Sequence, residues 1–301
     1  MGVELHGHRG ARGLLPENTL VGFHEALRHG VECIEFDVGM SADGAIVIHH
    51  DRTLNPDIAR RNGNWIDARP PPLKSLALSE IASYDVGRLK PGTPYAAKYP
   101  RQKPVDGARI PILADLLAVP ALKDNAKVCF NIEIKTSPLA PDETHEPTVI
   151  ANALVRVLDD HGVRARSRIQ SFDWRSLRHL RKIAPDIPLS FLTAEQSWLD
   201  NVARGAAGQS PWLGGIDIDA FDGSIPKAIN QAGGAIWAPY FRDLTAGDLA
   251  TAHELGLEVI VWTVNDADDM RAMINLGVDG IITDYPDIGR RIIDELALQQ
   301  P

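Results

Sequence analysis

Short apolar runs alternate with amphipathic stretches from one end of the chain to the other. The runs Leu5–His8, Cys33–Val38, Val128–Lys135, Arg168–Phe172, Leu189–Leu192, Ala235–Pro239, Val259–Val264 and Gly280–Thr283 have the length and composition of strands. Between them, Asn18–Arg28, Val149–Asp160, Trp174–Ile183 and Ala267–Asn275 repeat apolar positions at helical period. Strands that take turns with helices run parallel, because each helix carries the chain back to the edge where it started. Eight such strands in 301 residues are expected to close into one (β/α)8 TIM barrel, a single domain over residues 1–301, with Gly214–Asp219 as a spare strand candidate.

On a barrel whose other strands look apolar, two strands carry acids. In Ile34-Glu35-Phe36-Asp37-Val38 and Phe130-Asn131-Ile132-Glu133-Ile134-Lys135 the polar side chains take alternate positions. Alternation therefore puts Glu35 with Asp37, and Asn131 with Glu133 and Lys135, on one face. The branched and aromatic residues opposite suit packing against outer helices, so the polar ones point inward. Carboxylates crowded together out of water repel one another and lose hydration. A divalent cation offsets both costs, and Glu35, Asp37 and Glu133 form an oxygen-ligand set suited to Mg²⁺ or Ca²⁺.

The connection Gly39–Ala45 is too short for a helical crossover, and Ala42-Asp43-Gly44 has the composition of a tight turn. Ile46–His50 is thus expected to return across the barrel mouth as an arm that brings a histidine to the metal. From Arg52 to Pro111 the chain is rich in Pro, Arg and Lys and far exceeds an ordinary loop. This 52–111 insertion is expected to fold over the catalytic mouth. Gly7-His8-Arg9-Gly10 ends the first strand, the end at which barrel active sites lie. Pro16-Glu17-Asn18-Thr19 reads equally well as the start of the first helix.

Composition narrows the partners. A net charge of -9 with both signs interspersed argues against nucleic acid, and no apolar run reaches the ~20 residues of a membrane span, so no stable membrane insertion is expected. The N-terminus shows no basic stretch followed by an apolar one, so a cytoplasmic protein is expected, or a periplasmic one if a leader has been removed. Cys33 and Cys129 make no disulfide framework. Sharing strand faces with Glu35 and Glu133, both are expected to be free thiols that fill space below the metal layer.

The segments HRGARGLLPENT, EFDV, IVIHHD, IEIK, SF, VWTVN and TDYP, in this order from His8 to Pro286, closely resemble the glycerophosphodiester phosphodiesterase family. The resemblance implies a TIM barrel with an insertion after the second strand. It also implies metal-dependent hydrolysis of a small-molecule glycerophosphodiester to an alcohol and glycerol 3-phosphate. Residue by residue, it makes His8 and His50 the acid–base pair and Glu35, Asp37 and Glu133 the metal ligands. Arg9 and Lys135 fall on phosphate contacts, Trp262 on the glycerol pocket, and Glu17 and Asp51 on supporting positions. His50 is chosen over His49 because it directly precedes Asp51, and alternation turns His49 away. After that aspartate the family has a Leu-x-Arg-Thr-like run where this chain has LNPDIARRNG, which leaves the leaving-group preference open. A lysophospholipase D or phospholipase C-like enzyme on the same scaffold would call for an apolar lip. Residues 84–104 of the insertion hold three tyrosines and several bases but no long apolar patch. A barrel that only binds phosphoesters would have lost a histidine or a metal ligand, and none is lost.

Overall fold

The computed structural model describes residues 2–66, 70–123 and 125–298. Its parallel strands are β1 (Glu4–Gly7), β2 (Cys33–Met40), β3 (Cys129–Ile134), β4 (Ser167–Ser171), β5 (Leu189–Thr193), β6 (Ile236–Pro239), β7 (Glu258–Val261) and β8 (Gly280–Thr283). Each pairs with the next in sequence, and β8 pairs with β1 from Glu4↔Gly280 to Gly7↔Thr283, which closes the barrel. The helices between them are α1 (Leu20–Arg28), α2 (Leu113–Leu117), α3 (Pro147–Asp160), α4 (Trp174–Ile183), α5 (Ile225–Gln231), α6 (Ala246–Glu254), α7 (Ala267–Leu276) and α8 (Pro286–Ala297). The expected eight strands are all present. Gly214–Asp219 is not a ninth: Gly214 and Gly215 take φ of +60° and +89°, and these left-handed residues break an extended run between two 3-10 turns.

Alternation works as the pattern requires. Outward residues such as Ile34, Phe36, Val38, Phe130, Ile132, Val259 and Ile281 join one apolar layer with the helices. Phe36 sits edge-on to both Phe23 of α1 and Phe130 of β3. The interior is more polar than the strands suggested. Arg168 and Gln170 of β4 also face inward, and Arg168 makes a two-pronged pair with Glu4 at 2.6 and 2.9 Å.

Ile46–Ile48 runs antiparallel to β2 through Val38↔Ile48, Gly39↔Val47 and Met40↔Ile46, so the return arm forms as expected. The insertion that follows has an apolar cluster of its own, with Leu54, Leu73, Leu76, Ile81 and Ile110 packed around Val47 of the arm. It is tied to the loops at the C-terminal ends of the strands. Gln102 donates to the Arg12 carbonyl, the Lys103 amide donates to Leu14, and Arg101 pairs with Asp287. Residues 67–69 of the insertion lie outside the described residues.

One expectation is overturned. Cys33 and Cys129 are not free thiols but a disulfide, 96 residues apart in sequence. The β2–β3 register sets the two side by side, with Cα atoms 4.5 Å apart, inside the range that a disulfide spans. A count of two distant cysteines carries no trace of that register. Among the described residues, no helix is long and apolar enough to cross a membrane.

Candidate active site

The turn after β1 and the turn before α1 are both bent toward the carboxylates of β2. Arg9 has a φ of +50°, and its amide donates to Glu35 Oε2 at 2.9 Å. Gly10 follows at φ +83°, where a Cβ would come within 2.6 Å of the Gly22 carbonyl carbon, so only glycine lets the turn lie this close to α1. Asn18 is also left-handed, at φ +53°, and its side-chain amide donates to Asp37 Oδ2 at 2.9 Å. Two non-glycine residues in this region, both holding metal-ligand candidates, are backbone strain gathered at one site. Thr19 caps α1 by accepting from the Gly22 amide. Pro16–Thr19 therefore starts the helix and serves the site at once.

Glu35, Asp37 and Glu133 each place an oxygen within 4.8 Å of the others, and all three are buried. Burial, then repulsion from Asp37 and Glu133, pushes the Glu35 carboxyl well above the usual range. Burial likewise pushes Glu133 up to about 7, against the attraction of Lys135. Burial would raise Asp37 too, but Arg9, with His50 and Lys135, holds it well below the carboxylate range. Asp37 Oδ1 is buried with no hydrogen-bond partner. The Arg9 guanidinium donates to Glu17 at 2.8 Å and lies 3.3 Å from Asp37, and Lys135 Nζ donates to Glu133 at 2.6 Å. Four buried carboxylates (Glu17, Glu35, Asp37, Glu133) thus face two cations. The deficit of two charges, the orphaned oxygen and the all-oxygen donor set fit a divalent cation.

Each histidine is tied through the same ring nitrogen. His8 Nδ1 lies 2.7 Å from Asp284 Oδ1, and His50 Nδ1 lies 2.6 Å from Asp51 Oδ1. A carboxylate at Nδ1 selects the tautomer that leaves Nε2 free for proton exchange. Burial, then Arg12, brings His8 down to about 4, and burial, then Arg9 and Lys135, holds His50 well below the usual value. Both therefore rest neutral. His49 is turned away, with Nε2 3.2 Å from the Thr53 carbonyl oxygen.

The site opens into a cleft of about 600 Å³. His8, Arg9, Glu35, His50, Glu133, Lys135 and Trp262 line it, while Asp37, Glu17 and Asp51 stand behind them as partners. All ten expected residues come together. Others are added that the sequence reading left without roles. Asp284, buried at the end of β8, also accepts from Arg12 at 2.8 and 3.0 Å and from Asn265 at 2.7 Å. Gln170 donates to Glu35 at 2.9 Å. Tyr95 of the insertion donates to Glu17, and Arg12 lies over the Tyr99 ring. Signals existed for two of them. Asp284 follows an apolar strand inside TDYP, and the alternation that exposed Glu35 applies equally to Gln170 in β4.

Inward carboxylates and paired histidines gather at the C-terminal mouth of the (β/α)8 barrel, the end at which enzymes of this fold carry their active sites. The chain matches the model of the glycerophosphoryl diester phosphodiesterase family over residues 8–288. It is 29% identical over 281 residues to the glycerophosphodiester phosphodiesterase of Caldanaerobacter subterraneus, covering 93% of both chains. A solved protein from Silicibacter pomeroyi DSS-3, whose name places it in the same family, superposes with a TM-score of 0.87 at 35% identity, covering 98% of this chain and 94% of that one. The fold is also similar to that of an Oleispira antarctica phosphodiesterase solved with its product sn-glycerol-3-phosphate, at a TM-score of 0.71 and 21% identity over 97% of each chain. The chain belongs to the glycerophosphoryl diester phosphodiesterase family, and it is a phosphodiesterase.

Proposed function

We propose that this chain hydrolyses small glycerophosphodiesters to an alcohol and sn-glycerol 3-phosphate, with His8 and His50 as the acid–base pair. One divalent cation, Mg²⁺ or Ca²⁺, would be held by Glu35, Asp37 and Glu133. The reading rests on one observation: two carboxylate-tied histidines share a cleft with three clustered carboxylates. The product bound to the Oleispira antarctica phosphodiesterase supports the glycerol 3-phosphate assignment.

A phosphodiester resists attack because its own negative charge repels nucleophiles. The cation, when bound, supplies Lewis-acid neutralisation of that charge. Arg9 and Lys135 add fixed positive charge to the same phosphate, held in place by Glu17 and Glu133. One imidazole takes the proton of the attacking hydroxyl at Nε2, and the other gives one to the leaving alkoxide. Asp284 and Asp51 hold the two rings in the tautomer that this exchange needs. Trp262 and Phe172, in edge-to-face contact at 5.3 Å, border the glycerol. Tyr95, Lys98 and Tyr99 of the 52–111 insertion line the cleft and bear on the leaving alcohol.

Choline release from glycerophosphocholine, with Mg²⁺, Ca²⁺ or EDTA, tests the reading. His8→Ala and His50→Ala should each cost on the order of 10²–10⁴ in kcat with far less effect on substrate binding. His49→Ala should do much less. A dead His49→Ala beside an active His50→Ala would refute the assignment.

A further inference from the structure

A histidine that the reaction does not use stands deep in the barrel. His6 of β1 lies two residues before His8 and is fully buried. Its Nε2 lies 3.2 Å from Oε2 of Glu4, a carboxylate clamped by Arg168 at the N-terminal end of the strands. A carboxylate only accepts, so Nε2 carries the ring proton and Nδ1 is left as an acceptor. Burial holds the ring below its ordinary value, against the pull of Glu4, which keeps it neutral. Nδ1 faces the Asn131 amide nitrogen at 3.4 Å, and the same nitrogen donates to Gln170 Oε1 at 3.0 Å. Gln170 then gives its own amide N–H to Glu35 Oε1 at 2.9 Å. A file of hydrogen-bonded side chains thus runs from the N-terminal end of the barrel to a carboxylate of the proposed cation site. The other half of that interior is filled by Ile236, Ile260 and Ile282, so filling space does not call for polar groups here.

The file has one direction. Turned over, Asn131 would set its oxygen against two acceptors, His6 Nδ1 and Gln170 Oε1. The orientation it has leaves that oxygen buried without a partner, which is the smaller cost. Gln170 is held in the same way: with its oxygen on the Asn131 nitrogen, its NH2 faces Glu35. Reversed, it would bring an oxygen against the carboxylate. Glu35 Oε2 is taken by the Arg9 amide, and Gln170 sets the direction of Oε1. We infer that His6 is a positioning residue for the cation site: by accepting from Asn131 it locks both amides, and with them the hydrogen bond that Gln170 gives to Glu35. It makes no hydrogen bond to Glu35, Asp37 or Glu133 and does not line the cleft, so it acts through Asn131 and Gln170. The inference rests on the ligand set proposed above.

Metal-stripped protein is titrated with Mg²⁺ by calorimetry, and with Ca²⁺ in a second series. Gln170→Leu removes the donor to Glu35 and should raise the cation Kd about tenfold or more. His6→Leu, two side chains further from Glu35, should raise it roughly three- to tenfold. His6→Asn sets an oxygen where Nδ1 stood and should keep Kd within about twofold of wild type. Both His6 variants lose the contact with Glu4, so both should melt lower, but only the leucine should weaken the cation. In a Gln170→Leu background, His6→Leu should change Kd no further, because the link it acts through is already cut. Asn131→Leu cuts the same file one step nearer the site; it should weaken binding at least as much, and it carries the test if His6→Leu does not fold. Wild-type affinity in His6→Leu and Asn131→Leu, an equal loss in His6→Asn, or His6 and Gln170 effects that add would overturn the inference. Cation binding by the wild type would still keep the ligand set. A wild type that binds neither cation removes both.

Discussion

Reducing the Cys33–Cys129 disulfide should lower the stability of this protein without touching its chemistry. The bond closes a loop of 96 residues that contains the return arm, the whole insertion and α2. Cross-linking a loop of that size removes chain entropy from the unfolded state worth about 4.7 kcal/mol. Net stabilities of folded proteins run only about 5–15 kcal/mol, so a third or more is at stake. At roughly 2 °C per kcal/mol for a domain of this size, the melting temperature should fall by roughly 10 °C. The active site should not feel the change at 25 °C. Six register pairs, from Cys33↔Cys129 to Val38↔Ile134, hold β2 against β3, and hydrogen bonds from Arg9, Asn18 and Gln170 fix the carboxylates above. The assay is a thermal melt with and without reductant, beside the Cys33→Ala/Cys129→Ala double variant, which should melt low and ignore reductant. Thiol titration of freshly unfolded, unreduced protein should find none. Two titratable thiols, or a melt that reductant leaves unchanged, would refute the reasoning.

Asp284→Asn should lower kcat on the order of 10²–10⁴ with KM nearly unchanged, because His8 loses the partner that fixes its tautomer. A kcat within threefold of wild type would remove Asp284 from the machinery. The same change leaves Arg12 buried without its carboxylate, so a melt should show a loss of about 3–5 kcal/mol. Glu133→Gln should reduce activity in a way that excess divalent cation partly restores. In the wild type, cation at a hundred times its Kd should add about 2.7 kcal/mol of stability that EDTA removes; a melt indifferent to cation would count against the ligand set. At the opposite end of the barrel, burial works against ionisation of Glu4, but His6 and Arg168 outweigh it and hold the carboxyl down to about 2. Glu4 therefore ionises more readily folded than unfolded. Its contribution is fully present above its ordinary 4.5 and is lost as pH falls through about 2. The melting-temperature gap between wild type and Glu4→Gln should be widest above pH 4.5 and close toward pH 2; a gap that stays constant would contradict the sign.

Glu35, Asp37, Glu133 and Lys135 were legible before any fold was seen. A strand repeats every two residues, so spacing alone states which side chains share a face, and buried like charges state that a cation belongs among them. The seven residues of Gly39–Ala45 cannot hold a crossover, and that made the return arm readable as well, whereas His50 was chosen over His49 from the resemblance, because it directly precedes Asp51. Strand count and length sufficed for the closed barrel. The partners joined by closure were not readable. His8 meets Asp284 across 276 positions, and Cys33 meets Cys129 only because β2 and β3 pair in one particular register. Gln170 reaches Glu35 from two strands away around the ring. Leu139 and Trp198, from the loops after β3 and β5, line one hollow, a meeting that no local pattern announces. Local periodicity is written into the chain because each residue's direction follows from its neighbours. Which distant segments touch depends on the register and closure of the whole barrel, and only the tertiary structure decides that.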